Sequence, residues 1–341
     1  ADLSVTTQGN ETGPVDIVYT VTLSKTNNTG SAITFDLDDL GTGRAISGSE
    51  YTAIAGTATI SVADGASTGT LTVTVTDDAL LEANVETVTA EISNSSNAAV
   101  TIGTATASAN ITDNDAVTAD LSVTTQGNET GPVDIVYTVT LSEVNSTGSA
   151  ITFDLDDLGT GSATSGSDYT AIAGAATISV ADGASTGTLT VTVTDDAVLE
   201  STETIDAQIS NSSNAAVTIG TATASANITD NDVATADLSV TTQGNETGPV
   251  DIVYTVTLSE VNNTGSAITF DLDDLGTGTA TSGNDYTAIA GGAQISVAAG
   301  ASTGTLTVAV TDDALLEATE TVIAQISNSS NAAVTIGTAS A

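Results

Sequence analysis

The feature that most constrains this chain is internal repetition. The stretch ADLSVTTQGNETGPVDIVYTVTLS begins at Ala1, returns at Ala119 and returns again at Ala236. The periods are 118 and 117 residues. A period of that size is too long for one turn of a solenoid and is the size of an independent domain. The spacing therefore divides the chain into three: 1–118, 119–235 and 236–341. The one-residue difference has a location. Glu82-Ala83-Asn84-Val85-Glu86 aligns with Glu200-Ser201-Thr202-Glu203 and with Glu317-Ala318-Thr319-Glu320, so repeat 1 carries an insertion there.

Within a repeat the hydrophobic period is two. In repeat 1, Val15, Ile17, Tyr19, Val21 and Leu23 alternate with more polar residues. So do Ile33, Phe35 and Leu37; Leu71, Val73 and Val75; and Val88, Ala90 and Ile92. Clusters of Gly, Asn, Asp and Ser separate these runs and mark turns. Seven or more short strands per repeat, with no sustained helical period, predict an all-β chain of three tandem immunoglobulin-like antiparallel β-sandwiches. Ile111-Thr112-Asp113-Asn114-Asp115 closes repeat 1, and the next strand is expected by about Asp120. Only Ala116, Val117, Thr118 and Ala119 lie between, too few for a flexible tether. Strands of ~9 residues at ~3.3 Å each make domains ~30–40 Å long, so three in line form an elongated rod of roughly 100 Å.

Composition narrows what such a rod could do. There are 43 acidic residues against two basic ones, Lys25 and Arg44, for a formal charge of -41. That balance excludes nucleic acid as a partner and opposes binding to an anionic membrane. No apolar run approaches the length of a membrane span. Aromatics are 3% and Trp is absent, so each core must be built of small aliphatics and gains from an external brace. Without Cys there is no disulfide, and with one Lys there is no general route to Lys–Asn cross-links. A metal ion is the remaining strong brace. Catalysis is opposed by the same scarcity: without His or Cys the usual nucleophile–base pairs cannot be built.

Position separates acids that merely solvate the surface from acids that bind a cation. Three acidic motifs recur. Thr-Asp-Asp-x-x-x-Glu gives Asp77, Asp78 and Glu82, then Asp195, Asp196 and Glu200, then Asp312, Asp313 and Glu317. A closing Asp-Asn-Asp gives Asp113 and Asp115, then Asp230 and Asp232. An acid precedes Tyr at Glu50, Asp168 and Asp285. These motifs, their order, the Glu-Thr-Val or Glu-Thr-Ile that follows, and the closing Ile-Thr-Asp-Asn-Asp resemble the Calx-beta domain over essentially all of each repeat. The resemblance implies an immunoglobulin-like sandwich that binds Ca2+ at one tip, a domain also found in tandem in large bacterial surface and adhesion proteins. Carried over by position, it implies as ligands Glu11, Glu50, Asp77, Asp78, Glu82, Asp113 and Asp115 in repeat 1. In repeat 2 they are Glu129, Asp168, Asp195, Asp196, Glu200, Asp230 and Asp232, and in repeat 3 Glu246, Asp285, Asp312, Asp313 and Glu317. Repeat 1 has Glu50 where the family pattern favours Asp. Repeat 3 lacks the closing Asp-Asn-Asp, so its site is expected to be weak or empty.

Electrostatics supports the same assignment. Two like charges ~5 Å apart repel by about 3 kcal/mol at an effective dielectric of about 20, so seven carboxylates at one tip are tolerable mainly around a cation. The alternative is a set of solvated turn acids. The Phe-Asp-Leu-Asp-Asp-Leu acids (Asp36, Asp38 and Asp39, and their equivalents) are expected to be such surface groups, and the Asn-x-Ser/Thr triplets to be chance matches to glycosylation sites. Together these features point to an extracellular stalk or extender. Its partners are neighbouring repeats and, in a fibre, other copies. The rival reading is a filament segment that binds a partner directly or by strand addition at the incomplete end of repeat 3.

Overall fold

The computed structural model describes all 341 residues and contains strands but no helix. Repeat 2 shows the fold in full. One sheet is ordered Thr186–Val191, Ile135–Leu141, Val117–Thr125, Val217–Ile219. The other is ordered Gly127–Asn128, Thr223–Thr229, Glu203–Ser210, Ile151–Asp157, Thr177–Val180. The expected alternation places Ile135, Tyr137, Val139 and Leu141 of the first sheet against Phe153, Leu155, Ile205, Ala207 and Ile209 of the second. Tyr137 spans the gap: its hydroxyl donates to the Ile205 carbonyl at 3.0 Å, as Tyr19 does to Val88 at 2.8 Å. A buried tyrosine thus fills a core that is poor in aromatics and still satisfies its polar end.

The first strand of each repeat serves both sheets. In repeat 1, Asp2–Thr7 pairs antiparallel with Ile17–Thr22, shifts register between Val5 and Thr7, and re-emerges as Gly9–Asn10 paired parallel with Ile111 and Thr112. The crossing passes close over the core at Gly9, where a Cβ would lie 2.9 Å from Val75 and 3.0 Å from Ile111. Only glycine fits there without displacing both. Because first and last strands run parallel, the chain enters each complete sandwich at one pole and leaves it at the other. The acidic motifs collect at the exit pole.

Three differences from the sequence expectation are informative. The second repeat's first strand starts at Val117, because Val117 pairs parallel with Val217 and is buried in the repeat 2 core. The connection is thereby reduced to Asp113, Asn114, Asp115 and Ala116. Val15 is exposed rather than inward, since it closes a turn through reciprocal backbone bonds with Asn10. In repeat 3 the strand equivalent to Glu203–Ser210 shrinks to Ala324–Ser327. Its first half has no neighbour to pair with, whereas in repeat 2 it pairs with Ile228, Asn227 and Ala226.

Neighbouring repeats are joined by more than the connection. Leu81–Glu82 forms a short parallel pairing with Asn145–Ser146 of repeat 2, and Leu81 is buried within the repeat 2 core. At the next junction Glu200 bridges to Asn263, the Asn263 amide donates to the Leu199 carbonyl at 3.1 Å, and Leu199 is buried within the repeat 3 core. Each acidic loop therefore inserts a leucine into the base of the following repeat.

Candidate metal centre

The local folding of the exit pole explains why its acids converge. The crossing at Gly9 delivers Glu11, whose amide donates to the Thr112 carbonyl at 3.1 Å beside the closing Asp-Asn-Asp. Glu50 lies in a tight turn: one carboxylate oxygen accepts from the Ile46 amide at 2.9 Å, and its carbonyl accepts from Thr76 at 2.8 Å. The adjacent Tyr51 is held by Asp39, whose carboxylate accepts the phenol proton at 2.5 Å. Asp39 belongs to the Phe-Asp-Leu-Asp-Asp-Leu run, so that acid has a structural task behind the site. Asp113 ties two acidic motifs together by accepting from the amides of Glu82 at 3.3 Å and Asp115 at 2.9 Å. Asn114 donates to Asp77 at 3.1 Å.

The result is two abutting carboxylate groups in repeat 1. Glu11, Asp113 and Asp115 present oxygens within 4.8 Å of one another, and so do Glu50, Glu82 and Glu86. Repeat 2 reproduces both, with Glu129, Asp230 and Asp232, and with Asp168, Glu200 and Glu203. Glu50 thus occupies the same place as Asp168. Asp77, Asp78, Asp195 and Asp196 lie outside these tight groups. Asp77, Asp195 and Asp196 are exposed and Asp78 is half-buried. Their charges still reach the centre: Asp78 acts on Glu11 and Glu82, and Asp196 on Glu129 and Glu200.

Glu86, Glu203 and Glu320 are members that sequence reasoning did not assign. Their signal was available. Each opens the Glu-Thr-Val or Glu-Thr-Ile segment, and strand alternation puts Glu86 on the same face as Val88, Ala90 and Ile92. An acid on the core face of a strand requires a partner.

Repeat 3 assembles only half the centre. Asp285, Glu317 and Glu320 come together, but the two glutamates are exposed. Glu246 is half-buried where Glu11 and Glu129 are fully buried, and it joins no group. Asp312 and Asp313 lie in a fully exposed run from Thr311 to Glu320.

The electrostatic state of the complete centres is unusual for acids. Burial, reinforced by Asp113, Glu82 and Asp78, pushes Glu11 up to about 7. Burial and the neighbouring Glu86 push Glu50 up to about 8, and burial with Glu86 and Asp78 pushes Glu82 up to about 7. Glu129 and Glu200 rise to about 7, and Glu203 to about 8, again chiefly through burial. Several oxygens have no hydrogen-bond partner although buried: both of Glu11, and one each of Glu86, Asp115, Glu129, Glu203 and Asp232. Buried carboxylate oxygens without donors carry a large desolvation penalty. A cation that ligates them removes it. The donor set is all oxygen, which suits a hard ion taking six to eight oxygens, and offers none of the His or Cys ligands that zinc prefers. Bound there, Ca2+ would supply the positive charge that lets these acids stay ionised together. Repeat 1 has a partial substitute, because the Arg44 guanidinium lies 3.6 Å from Glu86 and also donates to the Thr147 carbonyl of repeat 2 at 2.9 Å. Ser162 and Thr279 occupy its position in the other repeats.

Comparison with known proteins supplies the family of the three repeats. The model of the Calx-beta domain matches three times, at residues 5–115, 122–232 and 240–341. No curated protein sequence matches. Solved structures that align include CBD12 from CALX1.2, at 17% identity and TM-score 0.29 over 62% of this chain and 80% of that one. The apo-form Calx CBD1 domain aligns at 20% identity and TM-score 0.28, over 35% of this chain and 100% of that one. The calcium binding domain CBD12 of CALX1.1 aligns at 12% identity and TM-score 0.28, over 67% of this chain and 100% of that one. These scores are too low to carry structural argument, and the three family matches do not depend on them. With the match covering nearly the whole length, the chain belongs to the Calx-beta domain family as a tandem of three such domains.

Proposed function

We propose that this chain is a structural extender: a segment of a bacterial cell-surface protein, exposed outside the cell, whose length and stiffness are set by Ca2+ at its domain tips. The carrying observation is that ligand and joint are adjacent residues. Glu82 belongs to the carboxylate centre of repeat 1, while Leu81 is buried in repeat 2. Glu200 and Leu199 repeat the arrangement one domain later. Neutralising the centre holds the loop compact, and the compact loop seats the leucine. Leaving the carboxylates uncompensated favours splaying of the same loop and loosens the joint. The work is mechanical rather than catalytic, and the immediate partners are the neighbouring repeats.

Small-angle scattering with calcium and with chelator tests this reading. The maximum dimension is expected to be well defined in calcium and the ensemble to broaden in chelator. An unchanged distance distribution would overturn the role of the ion and leave a plain acidic spacer.

A further inference from the structure

The two joints inside the chain are built on one plan but held by different charges. At the joint between repeats 1 and 2, Arg44 reaches out of its own repeat. Its Nε lies 3.6 Å from a Glu86 carboxylate oxygen, and one Nη donates to the Thr147 carbonyl of repeat 2 at 2.9 Å. Glu86 belongs to the carboxylate group of Glu50 and Glu82. Thr147 is buried and donates to the Asn145 side chain through its amide at 3.1 Å and its hydroxyl at 2.7 Å. Asn145 is the residue that pairs with Leu81. The guanidinium therefore spans the acidic centre of one repeat and the loop of the next that receives the joint leucine. It lies against Gly148, where a Cβ would come within 2.8 Å of the Arg44 Cζ.

The joint between repeats 2 and 3 has no such bridge. Ser162 stands at the Arg44 position and bonds within its own repeat, its hydroxyl accepting from the Thr204 amide at 3.0 Å. The receiving loop is intact: Thr264 donates to Asn262 through its amide at 3.2 Å and its hydroxyl at 2.7 Å. Yet no cation crosses to it, and a Cβ at Gly265, the counterpart of Gly148, would meet nothing within 4 Å. Strand pairing follows the same order. Leu81 and Glu82 pair with Asn145 and Ser146, whereas a single bridge, Glu200 with Asn263, joins repeats 2 and 3.

A guanidinium keeps its charge, and its fork can hold a carboxylate and a carbonyl at once. A chelator cannot remove it. We propose that Arg44 is a built-in cation that latches the first joint when calcium is absent, so that calcium governs bending at the second joint alone. The inference rests on the reading of calcium as the stiffening ion and adds which joint the ion controls. Without calcium, repeats 1 and 2 stay one rigid unit and the chain hinges between repeats 2 and 3.

The chain has no cysteine, so spin labels can be placed at chosen sites. Thr70→Cys with Thr188→Cys spans the first joint, and Thr188→Cys with Thr305→Cys spans the second. All three threonines are exposed at equivalent strand positions. Pulsed electron-spin distance measurements on the full chain are expected to give narrow distributions for both pairs in calcium. In chelator the second pair is expected to broaden severalfold and the first to keep its width. Arg44→Ser, which installs the residue of repeat 2, is expected to broaden the first pair in chelator and leave it narrow in calcium. The narrow distribution in calcium also reports that the variant folds. A first joint that broadens in chelator as much as the second, with Arg44 in place, overturns the latch. So does a first joint that stays narrow in chelator after Arg44→Ser, or one that this change loosens equally in calcium and in chelator, the mark of plain packing. A second joint that stays narrow in chelator overturns calcium control of that joint and with it the extender reading, while Arg44→Ser still decides the latch at the first.

Discussion

Repeats 2 and 3 share the exit-pole acids from Glu129 to Glu203 and from Glu246 to Glu320, but repeat 3 has no equivalents of Asp230 and Asp232, and only repeat 2 makes a complete centre. In repeat 2, Glu129 is buried beside Asp230 and Asp232, and Asp168, Glu200 and Glu203 form a second group at its side. In repeat 3, Glu246 stands apart, and the run from Thr311 to Glu320 lies entirely in water. What differs is the company. Repeat 2 has a closing strand, Thr223–Thr229, which pairs with Gly127–Asn128 on one side and Glu203–Ser210 on the other. It also has a following repeat that seats Leu199. The complete centre therefore needs the closing strand and the two acids that follow it, and the loop motif alone does not make it.

The largest test of this contrast is calcium itself. An ion that binds only the folded state at one hundred times its dissociation constant stabilises by about 2.7 kcal/mol per site. Calorimetry is expected to show calcium raising the melting of repeats 1 and 2 while repeat 3 melts independently of it. Equal responses from all three repeats would erase the distinction. Next in size is the joint. Leu199→Ala removes a buried side chain and is expected to cost repeat 3 about 2–4 kcal/mol, whereas Leu316→Ala should change stability by no more than ~0.5 kcal/mol. Denaturant melts of the two variants measure the difference, and similar costs would show that burial of Leu199 is not what distinguishes the joints.

A smaller effect separates the unassigned glutamates. Glu203→Gln is expected to weaken calcium binding on the order of tenfold through loss of an anionic ligand, while Glu320→Gln leaves the titration unchanged. Isothermal titration of each variant decides it. The smallest effect is on pH. The glutamates of the complete centres are raised to about 7–8 from an ordinary value near 4.5. Between those limits the folded chain binds more protons than the unfolded one, so stability without calcium is expected to fall as pH rises from about 5 to about 8. Calcium, by replacing the protons, should flatten that slope. A chelated protein whose melting temperature rises over this range would contradict the arrangement of its acids.

How much of this was legible beforehand follows from the physics of each signal. Strand alternation is local and strong, so Ile17, Tyr19 and Val21 and their partners in Phe35 and Val88 could be placed on core faces from sequence. Val15 could not, because a turn with Asn10 overrides its period. Most ligand candidates came from recurring motifs, and the grouping of Glu11 with Asp113 and Asp115 depends on a strand crossing that only Gly9 betrays. Glu86 was hidden by habit: an acid within an apolar-alternating strand reads as a solvent-facing residue until its face is counted. Leu81 was hidden for a deeper reason. It sits in a polar loop with no periodicity, and the core it completes belongs to the next repeat.

The parallel run of first and last strands has a further consequence, for load. Tension applied along the chain enters repeat 2 at Val117 and leaves past Thr229, at opposite poles. Val117 is held by its parallel ladder to Val217–Ile219, and Thr229 by its parallel pairing with Asn128. Pulling at opposite poles slides these strands lengthwise, so their hydrogen bonds are strained together rather than peeled one after another. A repeat wired this way yields in shear, and a tether made of such repeats resists stretching until a whole ladder fails at once.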